Sequence, residues 1–383
     1  MRAEGSPSNP TYATDPTEHG VVGDESTRLI ERVLLRLLTE QRAEAPLRDG
    51  RLAVVAAWAA SRSAQTQLSS DELDEVARRA GHVGPTPAVV MMQGRNLTEA
   101  SVRPLLEKAI ETFPTNLPLT RYAILGRYSG SSTVYAIVLA SLELTLRPVP
   151  KHMTHDETLH LAGALADRFE RTRLAVTLPE GDVRTFEHAG RDFAVDLRLY
   201  SPGVYRVELF GDGRSGPVVV ANFPVYVDID EPAPTRHTAP GAAEVGALTA
   251  ARLEERLLAL LNAARAEAHV APVRSDDELA AVARSHSQDM ADHGFFGHVS
   301  PTTGTPADRV HRGRLTGLVR FGENVALGTN AEEAHSGLMG SPGHRANMLQ
   351  AEYTHVGIGA VLQARSPGQP AFEVTYLFAQ RGN

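Results

Sequence analysis

The apolar positions in the last third of the chain change period along its length. Leu253, Leu257, Leu260 and Leu261 form one stripe at helical spacing, and Leu279, Val282, Ala283, His286 and Met290 form a second. Ser275, Asp276, Asp277 and Glu278 precede the second stripe. They predict a capping box, in which a hydroxyl and a carboxylate satisfy the free amides at a helix start. The period then drops to two: Tyr353–Gly359 and Phe372–Phe378 alternate apolar with polar and read as paired strands. Helices followed by strands predict an α+β domain over residues 249–383.

Upstream, the pattern is one of short strands. Arg173–Leu178, Phe193–Leu199, Val204–Phe210 and Val218–Val227 are alternating or short apolar runs. Turn signals at Pro179–Asp182, Ser201–Gly203 and Gly211–Gly213 separate them. This spacing predicts a small immunoglobulin-like β-sandwich over residues 149–231, and the Pro-rich run 232–248 reads as an extended linker. Residues 1–24, rich in Ser, Pro, Thr, Gly and acids, read as a disordered leader or a trimmed mature end. A chain of 383 residues exceeds what one hydrophobic core usually supports, so several domains are expected.

Candidate chemistry concentrates in three motifs of the last domain: Gly297-His298-Val299-Ser300-Pro301, Gly322-Glu323-Asn324, and Ser341-Pro342-Gly343-His344-Arg345-Ala346-Asn347. Two imidazoles and a carboxylate are side chains that can hold a divalent metal or move protons near neutral pH. With Leu261–Arg265, Gly294–His298, Thr305–Arg309 and the two strands in the same order, residues 249–383 resemble a CAP domain, the fold of cysteine-rich secretory proteins, antigen 5 and plant pathogenesis-related proteins, in its short bacterial form. The resemblance implies an αβα-sandwich with a cleft lined by His298 and Glu323. The family's second Glu falls near Ser341 and its second His near Glu373, so the tetrad is incomplete and His344 is a stand-in for the missing histidine. Asn324, beside Glu323, joins the cleft set. Each residue also has a plainer role: His298 could hydrogen-bond backbone, Glu323 could be a buried structural carboxylate, His344 and Ser341 could cap a helix, and His286 could be a core or cleft-floor histidine.

A repeat extends the resemblance to the first third. Leu34–Ala45 lies over Leu257–Ala268 without a gap, Gly81–Thr86 over Gly297–Thr302, and Gly94-Arg95-Asn96 over Gly322–Asn324, all in order. Residues 25–148 therefore read as a degenerate CAP-like α+β copy, with His82 matching His298 and Arg95 matching Glu323. A guanidinium can neither accept a proton nor bind a cation, so this copy is expected to be inert towards metal and proton transfer.

The formal net charge of −8 argues against a nucleic-acid partner, and the lack of any cysteine excludes disulfides, thiol catalysis and Cys-zinc sites. No apolar run reaches the ~20 residues that span a bilayer. Two function classes remain. The resemblance implies a secreted or cell-envelope module that binds a small amphiphile, a lipid or a cell-surface component in the cleft. The alternative is a hydrolase in which His298 and His344 hold zinc and Glu323 acts as general base, with Ser341 as a weaker candidate nucleophile.

Overall fold

The computed structural model describes residues 10–14, 24–40, 44–64, 68, 70–113, 117–129, 131–213, 216–232, 249–366 and 369–382. Most of the expected leader and all but the first residue of the expected linker lie outside these. After a short strand β1 (Thr11–Tyr12) come α1 (Glu25–Glu40), β2 (Leu47–Arg48), α2 (Gly50–Ala60), α3 (Ser70–Arg79), β3 (Ala88–Gly94), α4 (Glu99–Thr112), β4 (Arg121–Ser129) and β5 (Ser132–Ala140). The strands form one sheet in the order β2-β4-β5-β3, with β2 parallel to β4 and the other pairs antiparallel. Alternation along β5 serves both faces. Tyr135, Ile137 and Leu139 pack with Ile30, Leu34 and Leu106 of α1 and α4, while Ala136, Val138 and Ala140 pack with Leu52, Val55 and Ala56 of α2.

The middle of the chain is all strand: β6 (Leu144–Leu146), β7 (Val149–Pro150), β8 (His152–Met153), β9 (Thr158–Leu165), β10 (Phe169–Thr177), β11 (Val183–His188), β12 (Asp192–Arg198), β13 (Gly203–Gly213) and β14 (Gly216–Val227). Two sheets, β11-β10-β13-β14-β8 and β12-β9-β6, contribute to one buried core. Two expectations change here. Within the expected leader, β1 pairs with β7, and Tyr12 is buried against Phe223 with ring centroids 4.7 Å apart. An aromatic that buries its ring anchors the short strand that carries it. The core also includes Leu142, Leu144 and Leu146, which places the start of this unit upstream of residue 149.

The last unit contains α5 (Ala250–Glu267), β15 (Arg274–Ser275), α6 (Asp277–His293), α7 (Pro306–Arg312), β16 (Leu318–Gly328), α8 (Ala331–Gly340), α9 (Pro342–Met348), β17 (His355–Ser366) and β18 (Gln369–Arg381). The helix start before α6 differs from the predicted box. Asp276 is the cap and accepts from the backbone of Glu278 and Leu279, because Ser275 belongs to β15. Gly294, at φ 65°, closes the same helix in the left-handed conformation that glycine adopts at least cost. The sheet order is β15-β17-β18-β16. Phe372, Val374, Tyr376 and Phe378 of β18 face the core shared with α5 and α8, while Leu377 and Ala379 face α6. A β-carbon on Gly357 or Gly359 would lie 2.1 Å from backbone of α6, so α6 rests directly on β17.

The first and last units share strand order and sense, and the correspondence extends to single residues. Leu47 and Asp49 donate their amides to Thr120 and Tyr122, as Arg274 and Asp276 do to Thr354 and Val356. Thr120 donates to Ala140 as Thr354 does to Ala379. Asp49 caps α2 as Asp276 caps α6. This register corrects the residue matches read from sequence. Glu323 pairs with Leu377, and the corresponding pair in the first sheet is Val89 with Val138, so Val89 and not Arg95 occupies the Glu323 position. Arg95 follows the end of β3. His82 is buried beside Asp49, at the sheet edge away from β3, and its Nε2 contacts the Pro85 carbonyl at 3.2 Å. A three-residue motif match slips easily where the flanking strand carries only apolar residues. Among the described residues, no helix is long and apolar enough to cross a membrane.

Candidate functional site

Glu323 sits mid-strand on β16, and its pairing with Leu377 turns it towards the α6 side of the sheet. Three elements close on its carboxylate there. From the loop after α6, His298 Nδ1 lies 3.0 Å from Oε1. From α7, Arg309 Nη2 donates to Oε1 at 2.9 Å and to Oε2 at 2.7 Å. On α6, His286 Nε2 stands 3.8 Å from Oε1 while it contacts the Gly297 carbonyl at 3.0 Å. Burial alone would raise the pKa of Glu323, but the hydrogen bond with His298 and the charges of His286, His298 and Arg309 outweigh it and hold the carboxyl below its ordinary value.

Local sequence explains how the partners arrive. Thr305 and Asp308 form a reciprocal capping box with Pro306 in the first turn of α7, which fixes Arg309 on the inner face. Arg309 then binds the carbonyls of Gly304 at 2.7 Å and His298 at 2.9 Å, so one guanidinium ties the His298 loop to Glu323. Asp289 of α6 holds the other side of that loop, accepting from Ser300 Oγ at 2.5 Å, Thr302 Oγ1 at 2.5 Å and Thr303 Oγ1 at 2.9 Å. Neither Arg309 nor Asp289 was singled out from sequence. The signal for Arg309 was the Thr305–Asp308 cap directly before it; for Asp289 there was only the run of hydroxyl residues at 300–303.

His344 comes from α9, whose first amides are capped by Ser341. Its ring centroid lies 6.3 Å from that of His298, so the two predicted imidazoles do converge. Burial and the neighbouring His298 push His344 down to about 3, which keeps it neutral. His286, buried beneath the pair, is pushed down to about 4 mainly by burial. The His298 side chain remains partly exposed.

Other predicted members take structural positions. Asn324 is fully buried on the opposite face of β16, where Nδ2 donates to the His344 carbonyl at 3.0 Å and Oδ1 accepts from Asn347 at 2.9 Å. Glu373 is fully buried in β18. Ser341 is no free nucleophile: its hydroxyl donates to Glu208 Oε1 of β13 at 2.5 Å, and Gly343 N donates to Oε2 at 2.7 Å. Burial pushes Glu208 up to about 7 against these bonds. Among the described residues, no cluster of three or more His, Asp or Glu side chains is disposed to hold a metal ion.

Residues 258–377 match the sequence model of the Cysteine-rich secretory protein family, CAP. The chain is 38% identical over 109 residues to the uncharacterized protein YkwD of Bacillus subtilis (strain 168), which covers 28% of this chain and 42% of that one. It is 36% identical over 107 residues to the uncharacterized membrane protein YlbC of the same organism, covering 28% and 31%. The chain thus spans less than half the length of either curated relative. A solved extracellular protein containing a SCP domain from Bacillus anthracis str. Ames is 18% identical, with 62% of this chain and 86% of that one covered at a TM-score of 0.32. The family match falls on the helix–sheet–helix unit that carries His298, Glu323 and His344, and residues 258–377 are therefore a CAP domain, built here without a single cysteine.

Proposed function

We propose that the CAP domain is an interaction module that binds a small amphiphile or lipid where the His298 and His344 imidazoles meet, in a protein that works in the secreted or cell-envelope fraction. The observation that carries this reading is the closure of Glu323. A general base needs a free lone pair and a pKa near the operating pH. Both carboxylate oxygens of Glu323 accept from Arg309, one also contacts His298, and its pKa is pulled down. The polar group left to meet a ligand is the partly exposed His298 imidazole, with the His344 ring beside it. Neighbouring Glu323 is already engaged inside the protein by Arg309 and His298. The secretory description of the matched family supports the location.

A zinc hydrolase would use the same histidines, but catalytic zinc takes three protein ligands, and the third candidate, Glu323, is committed to a guanidinium. In our reading the first unit is a second copy of the CAP layers in which Val89 stands where Glu323 would be, so it has no such site. The middle unit is a β-sandwich that joins the two.

The test is calorimetric titration of lysophosphatidylglycerol, kept below its micelle concentration, into the wild type and into His298→Ala/His344→Ala. Saturable binding that weakens at least tenfold in the double variant supports the proposal. Equal binding by both proteins, or none by the wild type, contradicts it.

A further inference from the structure

A second site lies where the three units meet, in a cleft of about 480 Å³ walled by α3 of the first unit, β13 and β14 of the middle unit, and the α8–α9 region of the CAP domain. Its charges are unevenly satisfied. On the α3 wall, Arg78 pairs with Asp74, and Arg79 pairs with Glu75 and Glu231. The opposite wall presents Arg206 from β13 and Arg345 from α9. Neither of these guanidiniums has a side-chain hydrogen bond or ion pair among the described residues, and both are partly buried. Each acid lining the cleft is committed to the α3 arginines, so positive charge is left over on one side.

Two partly desolvated guanidiniums facing one cavity without an internal counter-ion leave an electrostatic debt that an oxyanion would settle. Each offers planar donors suited to bidentate contact with a carboxylate or phosphate. Burial, with Arg206 nearby, holds Arg345 below its ordinary pKa, which is the sign expected of like charges without a partner between them. The site is separate from the imidazole pair, since consecutive residues of α9 serve different walls: His344 meets His298, and Arg345 enters the inter-unit cleft.

We propose that Arg206 and Arg345 form an anion-binding site that takes the carboxylate or phosphate group of a small organic acid, bridging the middle unit and the CAP domain. An anion bound there would contact both units at once. It would stabilise their present arrangement in proportion to its occupancy.

The experiment titrates the full chain with inorganic phosphate, pyrophosphate and citrate at constant ionic strength, with chloride as the reference salt, and follows heat and melting temperature. At least one of the three should bind saturably and raise the melting temperature. Tighter binding of citrate assigns a carboxylate ligand, and tighter binding of phosphate or pyrophosphate a phosphate ligand. Arg206→Gln and Arg345→Gln, on different units, should each weaken that binding at least tenfold. In the wild type, the same anion should slow modification of Arg206 and Arg345 by phenylglyoxal, read by mass spectrometry, but not that of exposed Arg36. This readout stands even if a variant fails to fold. No saturation by any of the anions, unchanged binding in folded variants, or equal modification with and without the anion would overturn the proposal.

Discussion

At the scale of single residues, the site is governed by how a buried carboxylate is compensated. Glu323 and Arg309 are both almost fully buried, and each satisfies the other at 2.7 Å. Removing one charge of such a pair leaves the other uncompensated, at a cost of about 3–5 kcal/mol. Glu323→Gln should therefore lower stability by that order in urea unfolding, and adding Arg309→Met should recover part of the loss. Additive losses in the double variant would show that the two residues act independently. Glu208 gives the opposite electrostatic case. Its folded pKa, about 7, lies above an unfolded value of ~4.3. Its contribution to stability is fully present below ~4.3 and is lost as pH rises through about 7, a span worth roughly 4 kcal/mol. Glu208→Gln should accordingly gain stability relative to the wild type between pH 4.5 and pH 8. A pH-independent difference between the two would place the titrating group elsewhere. The convergence of His298, Glu323 and His344 was legible because each sits in a compact motif. The clamp on Glu323 was not, because an arginine on a short helix gives no sequence sign of which carboxylate it faces.

At the scale of elements, the close approach of α6 to β17 decides where His286 and Asp289 stand beside Glu323 and the His298 loop. Gly357 and Gly359 permit it, and a methyl group at Gly359 would meet the backbone of Arg284 at 2.1 Å. Gly359→Ala must push a helix off a strand and should cost about 3 kcal/mol or more, the upper end of the overpacking range. It should also shift the imidazole resonances of His286. A stability change under about 0.5 kcal/mol, typical of unconstrained surface sites, would mean that the helix yields freely. The two helices and the long strand pair of the CAP domain were readable from periodicity, since their apolar faces are continuous. The capping residue was misplaced by one, because Ser275 and Asp276 are both good caps and only the parallel pairing of Ser275 with Val356 chooses between them. Likewise, β1 was hidden within a polar run whose one anchoring side chain, Tyr12, makes no period.

At the scale of the whole molecule, two layered units of the same strand order flank an all-strand unit, and contacts such as Ser341 with Glu208 tie them together. The shared strand order of the first and last units parallels the likeness of their leucine helices in sequence, but the residue matches read there are out of register, because register is carried by backbone hydrogen bonds that leave no motif. Buried histidines should set the acid limit of the assembly. His82 and His286 are both pushed down to about 4, below an unfolded value of ~6.5. The unfolded chain therefore takes up protons first, and stability should fall as pH drops from about 6.5 to about 4. Chemical denaturation at pH 7 and pH 5 should show this fall, and His286→Gln should reduce it; an unchanged slope would remove His286 as a cause. We propose that the CAP domain binds its ligand through His298 and His344 with Glu323 closed off from chemistry. It is tested most directly by titrating lysophosphatidylglycerol into chelator-treated protein, and again with one equivalent of zinc, while monitoring release of free fatty acid. The same affinity is expected in both titrations, with no release above the protein-free rate; binding that requires zinc, or zinc-dependent release abolished by Glu323→Gln, would contradict this.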